Sequence, residues 1–261
     1  MNDAASAPRF VRSTKSNGLL TVWLDCPPVN VLQAESMRAL QAAFEQARDD
    51  IDVRAVLLTG AGERAFCAGV SVSDHGPSRG TETVEAFLSL LTLLREFPLP
   101  VVAALNGATL GGGCELALAC DMIVSKPDVK IGQPEIKLAT LPTPAMLLMQ
   151  GRLPANTIAE MILGGEPIDG TEARRIGLVN ALVSSADFMA ECECFMQRFT
   201  RMSRPVLVLA KQGLRHARGD LFEREAVALK QRVRPALTAL ADFEEGLAAF
   251  AGKRPPRWVQ R

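Results

Sequence analysis

The sequence predicts an α/β fold, with an α/β core over residues 1–195 and a helical region over residues 196–261. Short apolar runs typical of strands alternate with amphipathic segments through the first half of the chain, as in folds built from alternating strands and helices. The last third is helical in pattern almost throughout. Hydrophobic residues make up 48% of the chain, which is enough to bury a sizeable core.

The strand predictions rest on apolar runs bounded by turn residues. The first two strands should form a hairpin, because Ser16, Asn17 and Gly18 supply a turn signal between them. The run at 53–60 is apolar and ends at a glycine, as a buried strand does. The predicted strands are residues 10–14, 19–25, 53–60, 101–105, 121–124 and 178–183.

The helix predictions rest on apolar residues that recur at helical spacing. In the first helix, Met37, Leu40, Phe44 and Ala47 lie on one face. Prolines at 98 and 100 end the second helix. The predicted helices are residues 34–49, 82–96, 114–119, 145–151, 154–163, 171–175, 186–203, 205–217 and 220–251.

Charge and composition exclude several kinds of protein. The 29 basic residues balance 29 acidic ones, which disfavours a nucleic-acid surface or a basic membrane-binding face. We expect no membrane span and no signal peptide, because long apolar runs and an apolar segment in the first ten residues are lacking. The six cysteines form no CxxC pair, which favours reduced thiols in the cytoplasm and argues against a metal site.

The segment 110–115, read LGGGCE, is the most informative part of the sequence. Three glycines at a junction between a strand and a helix let backbone N–H groups approach a ligand, and the helix start adds positive partial charge. Glu115 follows among apolar neighbours, so we expect burial to raise its pKa. A helix-capping role for Glu115 is an equally good interpretation of the pattern alone.

Two further segments carry residues that suit acid–base or carbonyl chemistry. Glu135 lies in a tight loop after the strand at 121–124, and its spacing alone favours a solvated loop acid. The loop at 64–70 could turn the N–H of Val70 inward. Two such backbone donors, one from each glycine loop, are what an oxyanion site requires.

The order and spacing of these motifs resemble the crotonase (enoyl-CoA hydratase/isomerase) superfamily along nearly the whole chain. The matching segments are Pro28-Val29-Asn30, AFCAG at 65–69, NGATLGGGCELALACD at 106–121, GQPEI at 132–136, RRIGLV at 174–179, and a C-terminal pattern of Glu244, Glu245, Gly246, Phe250, Lys253 and Arg254. The resemblance implies a spiral of ββα units with a C-terminal helical oligomerisation region.

The resemblance also implies a role for each candidate residue. The amides of Val70 and Gly112 would hold the oxygen of an acyl-CoA thioester, while Glu115 and Glu135 would be the two catalytic acids of an enoyl-CoA hydratase. No separate cofactor is implied, since coenzyme A belongs to the substrate. The coenzyme A-binding and substrate-binding residues implied are Pro28, Val29, Val31, Ala65, Ala68, Val70 and Ser71. The partners implied are copies of the chain, in a homotrimer or a dimer of trimers.

The sequence departs from the family pattern at two places. The family often reads AGAD where this chain has Ala68-Gly69-Val70-Ser71, and its glycine-rich PGAGG stretch is replaced here at 142–146. In the family, the segment of the second change shapes the pocket for the acyl group. The substrate of this chain therefore need not be a simple straight-chain enoyl-CoA. Segments around Ser71 and Gly132 look like those of cyclic dienoyl-CoA hydratases, and His75 would line the acyl pocket or be a polar loop residue. A double-bond isomerase and a catalytically silent binder of coenzyme A esters are the remaining alternatives.

Overall fold

A computed structural model describes residues 10–71, 80–218 and 222–258 and confirms the α/β fold. Within these ranges the strands form two sheets. The strands are β1 (Val11–Ser16), β2 (Leu19–Leu24), β3 (Ala55–Gly60), β4 (Ala65–Cys67), β5 (Val101–Leu105), β6 (Ala108–Leu110), β7 (Met122–Ser125), β8 (Ile131–Gly132) and β9 (Ala181–Leu182).

Helices cover both faces of the larger sheet and make up most of the C-terminal third. They are α1 (Ala34–Asp49), α2 (Gly80–Glu96), α3 (Gly112–Ala119), a 3-10 helix (Pro134–Leu138), α4 (Thr143–Leu148), α5 (Ala155–Gly164), α6 (Gly170–Arg175), α7 (Phe188–Thr200), α8 (Arg204–Arg218), α9 (Phe222–Thr238) and α10 (Ala241–Ala251). In the part of the chain that the structure describes, no helix is long and apolar enough to cross a membrane.

The larger sheet has the strand order β1-β2-β3-β5-β7-β9. The predicted hairpin is present, since β1 pairs with β2 antiparallel, and the remaining pairs are parallel. Strands β3 and β5 are buried along their full length, which explains their unbroken apolar sequence. Val56 and Leu58 face α1 and α2, whereas Ala55 and Leu57 face the opposite layer.

A second, smaller sheet consists of β4, β6 and β8, all parallel. Each of these strands follows a strand of the larger sheet along the chain, and a helix follows it: β3, β4 and α2 form one unit, and β5, β6 and α3 form the next. This repetition is the expected spiral of ββα units. The sequence gives no sign of these strands, because two or three residues are too few to show a period.

Helix α7 packs against the larger sheet on the face away from α1 and α2. Its buried residues Cys192, Phe195 and Met196 share one apolar cluster with Leu57 and Val102. The predicted boundary between residues 195 and 196 therefore falls inside a continuous helix whose two halves contact the same sheet.

A buried ion pair joins the C-terminal helices to the core. Lys211 on α8 donates to Asp121 Oδ2 at 2.6 Å and to the carbonyl of Leu99 at 2.9 Å. Asp121 Oδ2 also accepts from the amide of Val101 at 2.8 Å, at the first residue of β5. The side chain of Lys211 is only 7% exposed, so this contact fixes α8 to the sheet.

The expectation of one helix over 220–251 is wrong. Helix α9 ends at Thr238, Leu240 adopts an extended conformation, and α10 begins at Ala241. Asp242 and Glu244 lie in the first turn of α10, where the positive end of the helix dipole favours acidic residues. The break lets α10 pack against the 3-10 helix, which replaces the tight loop expected around Glu135. The strand expected at 178–183 is reduced to the two residues of β9.

Candidate active site

The smaller sheet brings the predicted site residues to one edge. Its three strands are parallel, so their carboxyl ends lie side by side, where α/β proteins usually bind ligands. Strand β4 leads to Gly69 and Val70, β6 leads to the glycine turn and α3, and β8 leads to Glu135. The amide of Gly111 donates to the carbonyl of Gly132 at 2.9 Å, which fixes the second of these strand ends against the third.

The backbone amides of Val70 and Gly112 lie next to each other. Residues on either side of Val70 pair with Leu32, because Leu32 N–H donates to the Gly69 carbonyl and Ser71 N–H to the Leu32 carbonyl, both at 2.9 Å. The amide of Val70 therefore faces the opposite side. A Cβ built on Gly112 would lie 3.2 Å from Val70 N, so the two backbones are in close contact.

Gly112 is the first residue of α3, where the N–H groups have no acceptor within the helix. Two amide donors at the positive end of a helix are an arrangement that stabilises negative charge developing on a carbonyl oxygen. Gly111 makes the preceding turn with a φ of +53°, a conformation that favours glycine. A Cβ on Gly111 would also lie 2.8 Å from Glu135 Oε1, so a side chain there would displace the acid.

Glu115 lies on α3 and is 4% exposed. Its Oε1 accepts a hydrogen bond of 3.0 Å from the amide of Ala145, in the first turn of α4. Burial raises the pKa of Glu115 well above its ordinary value, and the charge of Glu135 raises it further, while the Ala145 hydrogen bond acts in the opposite direction.

Glu135 is half-buried in the first turn of the 3-10 helix. Burial raises the pKa of its carboxyl group to about 7, although its own backbone N–H lowers it somewhat. The fully buried Gln133, with its amide nitrogen turned toward Glu135, donates to both carboxylate oxygens at 3.2 Å. Gln133 was not predicted as a site residue, because the sequence alone does not show that this amide is buried against the acid.

These groups share one cavity of about 370 Å³. Glu115 and Glu135 line it together with Val70 and Gly112. The rest of its wall is largely apolar and comes from α2, the segment 138–144, α9 and α10. The C-terminal helices thus close the cavity of their own chain, and a carboxylate in this apolar space loses much of its hydration.

The two segments expected to hold coenzyme A are in direct contact. The amide of Ala68 donates to the carbonyl of Val29 at 3.0 Å. Asn30, with a φ of +56°, donates from Nδ2 to the carbonyl of Ala65 at 2.8 Å and thereby ties the two loops together. Asn30 is the polar residue of the Pro-x-Asn motif, and the structure gives it this anchoring role.

The other residues expected to bind substrate are distributed around these loops. Ala68 and Val70 line the cavity. Val31 is half-buried and Pro28 is exposed. The coenzyme A-binding roles of all these residues stay predictions, and His75 lies outside the described residues.

The fold and the paired amides and acids define a protein of the crotonase type, and the comparison of sequences agrees. Residues 14–261 match the model of the enoyl-CoA hydratase/isomerase family, and the chain belongs to that family. It is 32% identical over 255 residues to a carnitinyl-CoA dehydratase of Proteus mirabilis, covering 95% of this chain and 97% of the relative. It is also 32% identical over 265 residues to a cyclohexa-1,5-dienecarbonyl-CoA hydratase of Thauera aromatica, covering 98% and 99% of the two chains.

Solved structures show the same fold. The crystal structure of an enoyl-CoA hydratase from Mycobacterium avium subsp. paratuberculosis superposes with a TM-score of 0.82. The two chains are 25% identical, and the match covers 96% of this chain and 99% of the other.

The raised pKa of Glu135 predicts a pH-dependent cost in stability. The folded pKa of about 7 lies above the ordinary value of 4.5, so unfolding releases a proton between these pH values and stability falls as pH rises through them. Glu135→Gln should therefore gain stability relative to the wild type by about 1–3 kcal/mol between pH 4.5 and pH 8. Urea unfolding at the two pH values measures this change.

The matched control is Glu160→Gln on α5, because Glu160 is exposed. The difference in free energy of unfolding between Glu160→Gln and the wild type should change little with pH. The prediction is wrong if the difference between Glu135→Gln and the wild type is the same at both pH values.

Proposed function

We propose that this chain is an enoyl-CoA hydratase, which adds water across the C2–C3 double bond of an unsaturated acyl-CoA thioester through an enolate. Membership of the family makes the chain a hydro-lyase type of enzyme. The observation that carries the finer proposal is the shared cavity, in which two adjacent backbone amides face two acids with raised pKa values.

The amides of Val70 and Gly112 would hold the thioester oxygen. Attack at C3 moves the π electrons toward the carbonyl, so negative charge develops on that oxygen in the transition state. Preorganised donors stabilise such charge, and the loss of one typically costs about 2.7–4 kcal/mol of barrier. Because the donors are backbone groups, the valine at position 70 serves as well as another residue type would.

The two acids would divide the proton transfers between them. Glu115 would orient a water molecule and accept its proton as oxygen bonds to C3, while Glu135 would deliver a proton to C2 of the enolate. A pKa of about 7 lets Glu135 hold a proton near neutral pH. Burial and the charge of Glu135 outweigh the hydrogen bond from Ala145 and raise the pKa of Glu115. Glu115 would act as the base in its ionised form, which is the form that this hydrogen bond stabilises.

The substrate would be a medium-sized or cyclic unsaturated acyl-CoA. The named relatives act on different acyl groups at equal identity, and the acyl-pocket segment 142–146 departs from the family pattern. A cyclohexadienecarbonyl-CoA hydratase is therefore the alternative at the level of substrate. The adenine end of coenzyme A would lie against the two loops that contain Val29 and Ala68. Six free cysteines support a cytoplasmic location.

Replacement of the two acids tests the reaction. Glu115→Gln and Glu135→Gln keep the shape of each side chain but remove its proton transfer, so each should lower kcat for hydration by about 100-fold or more. The loss of the conjugated thioester absorbance measures hydration, across straight-chain, branched and cyclic substrates. Binding of a saturated acyl-CoA should persist in both variants.

Each other outcome of this experiment identifies a different function. Full activity in both variants contradicts the hydratase proposal. Activity that depends on only one of the two acids indicates double-bond isomerisation, for which one carboxylate suffices. Thioester binding by a wild-type protein that transforms none of the substrates indicates a binder of coenzyme A esters.

Substitution of Gly111 tests the close approach to Glu135. Gly111→Ala would place a methyl group 2.8 Å from Glu135 Oε1, so we expect kcat to fall by about 100-fold as the acid moves. Gly151→Ala is the matched control, because Gly151 also has a positive φ, +71°, but open space around its Cβ position. Equal kcat losses in the two variants would show that backbone strain alone is responsible.

We further propose that the chain assembles as a homotrimer or a dimer of trimers. Helix α8 supports this, because Val206, Leu209 and Leu214 are each more than 60% exposed on it. Light scattering should give three or six times the chain mass of 28.1 kDa. Leu209→Asp should lower this mass, whereas Ile51→Asp, at an exposed position on another part of the surface, should not. A wild-type monomer would contradict the proposal.

A further inference from the structure

A second cavity of about 530 Å³ lies between α2 and α9. Leu88, Lys230 and Arg234 line both this cavity and the active-site cavity. The two spaces therefore adjoin at these side chains. An acyl group that extends from the reacting carbons along α9 would meet this boundary.

Lys230 is a charged group at this boundary, and it forms an ion pair with Glu85. Its side chain is 17% exposed, and its Nζ lies 3.6 Å from Glu85 Oε1. That distance exceeds the length of a hydrogen bond, and the side chain of Glu85 is 66% exposed, so the pair is loose and solvated on one side. An ammonium group held in a partly apolar wall is stabilised by a closer anion.

Apolar side chains from α2 and α9 form much of the wall of the active-site cavity. Val84 and Phe87 contribute to it from α2, and Val233 and Leu237 contribute from α9. The cavity thus has two acids, largely apolar sides, and cationic side chains where it adjoins the second cavity. A ligand with an uncharged middle and an anionic far end complements this distribution of charge.

We propose that Lys230 binds an anionic group at the far end of the acyl chain, so that the substrates are enoyl-CoA thioesters with a distal carboxylate. This inference rests on the proposed function for its choice of substrate. The ammonium group of Lys230 would form a charge-assisted hydrogen bond with the carboxylate, and Glu85 would turn to solvent. Arg234, one turn further along α9, lines the same boundary.

A phosphate of coenzyme A has the same chemistry and is the competing source of an anion at Lys230. The two sources differ in one testable respect. Every coenzyme A ester carries the phosphates, whereas only some acyl groups carry a carboxylate. A comparison of esters that differ only at the far end of the acyl chain separates them.

The first experiment measures binding to the wild-type protein by calorimetry. The ligands are adipyl-CoA against hexanoyl-CoA and suberyl-CoA against octanoyl-CoA, which are saturated and need no reaction. We expect the carboxylate to tighten binding by about tenfold or more at one of the two lengths, as a hydrogen bond between charged groups does. No preference at either length would overturn the proposal.

The second experiment assigns the preference to Lys230. The measured quantity is the dissociation constant of the methyl-terminated ester divided by that of the carboxylate-terminated ester. Lys230→Met should reduce this ratio by about tenfold, and Lys230→Arg should restore most of it. Gln231→Met is the control, because Gln231 is exposed and lines the second cavity but not the active-site cavity. A preference that survives Lys230→Met overturns the assignment, as does equal weakening of both esters, which would place Lys230 against coenzyme A itself.

Failure of this inference is distinguishable from failure of the proposed function. The binding preference is measured without hydration, so it can be present in a protein that transforms no enoyl-CoA. Conversely, hydration of methyl-terminated enoyl-CoA with no carboxylate preference would support the hydratase proposal and overturn the inference about Lys230.

Discussion

The close backbone contact between β4, β6 and β8 is the constraint on which the site depends. These strands are short, and their contribution is positional: parallel pairing places three strand ends at one edge. The Gly111 amide bonded to the Gly132 carbonyl then fixes the distance between α3 and the 3-10 helix. Because the amides of Val70 and Gly112 and both acids follow directly from these ends, a shift of one strand would move all of them.

The same contact has an electrostatic cost. It holds two carboxyl groups in one apolar cavity, where burial raises both pKa values and the charge of Glu135 raises that of Glu115 further. Hydrogen bonds from Ala145 to Glu115 and from Gln133 to Glu135 offset part of that cost. The pKa shifts of the two acids are unequal, because Glu115 is the more deeply buried and also experiences the charge of Glu135. That difference is what a reaction with one base and one acid requires.

The sequence predicted the parts of this arrangement that have a local signature. Glu115 lies among apolar neighbours after three glycines, so burial and a helix start could be inferred from its own segment. The position of Glu135 relative to Glu115 depends on the pairing of β6 with β8, which is too short to leave a periodic pattern. Only the family resemblance joined the two acids. The break before α10 coincides with a local signal, the acidic first turn, but the apolar pattern continues across the break and hides it.

The segment 142–146 departs from the family pattern and still supplies a hydrogen bond to Glu115. Pro144 lies in the first turn of α4, where the lack of an amide proton costs little because the first N–H groups of a helix have no internal acceptor. The amide of Ala145 follows immediately and donates to Glu115. The segment thus supplies a backbone donor to Glu115, while its Pro142 and Thr143 line the cavity. Helix α9 packs on α4 and lines the same cavity, so this segment shapes the cavity wall, whereas the strand ends of the smaller sheet position the amides and acids.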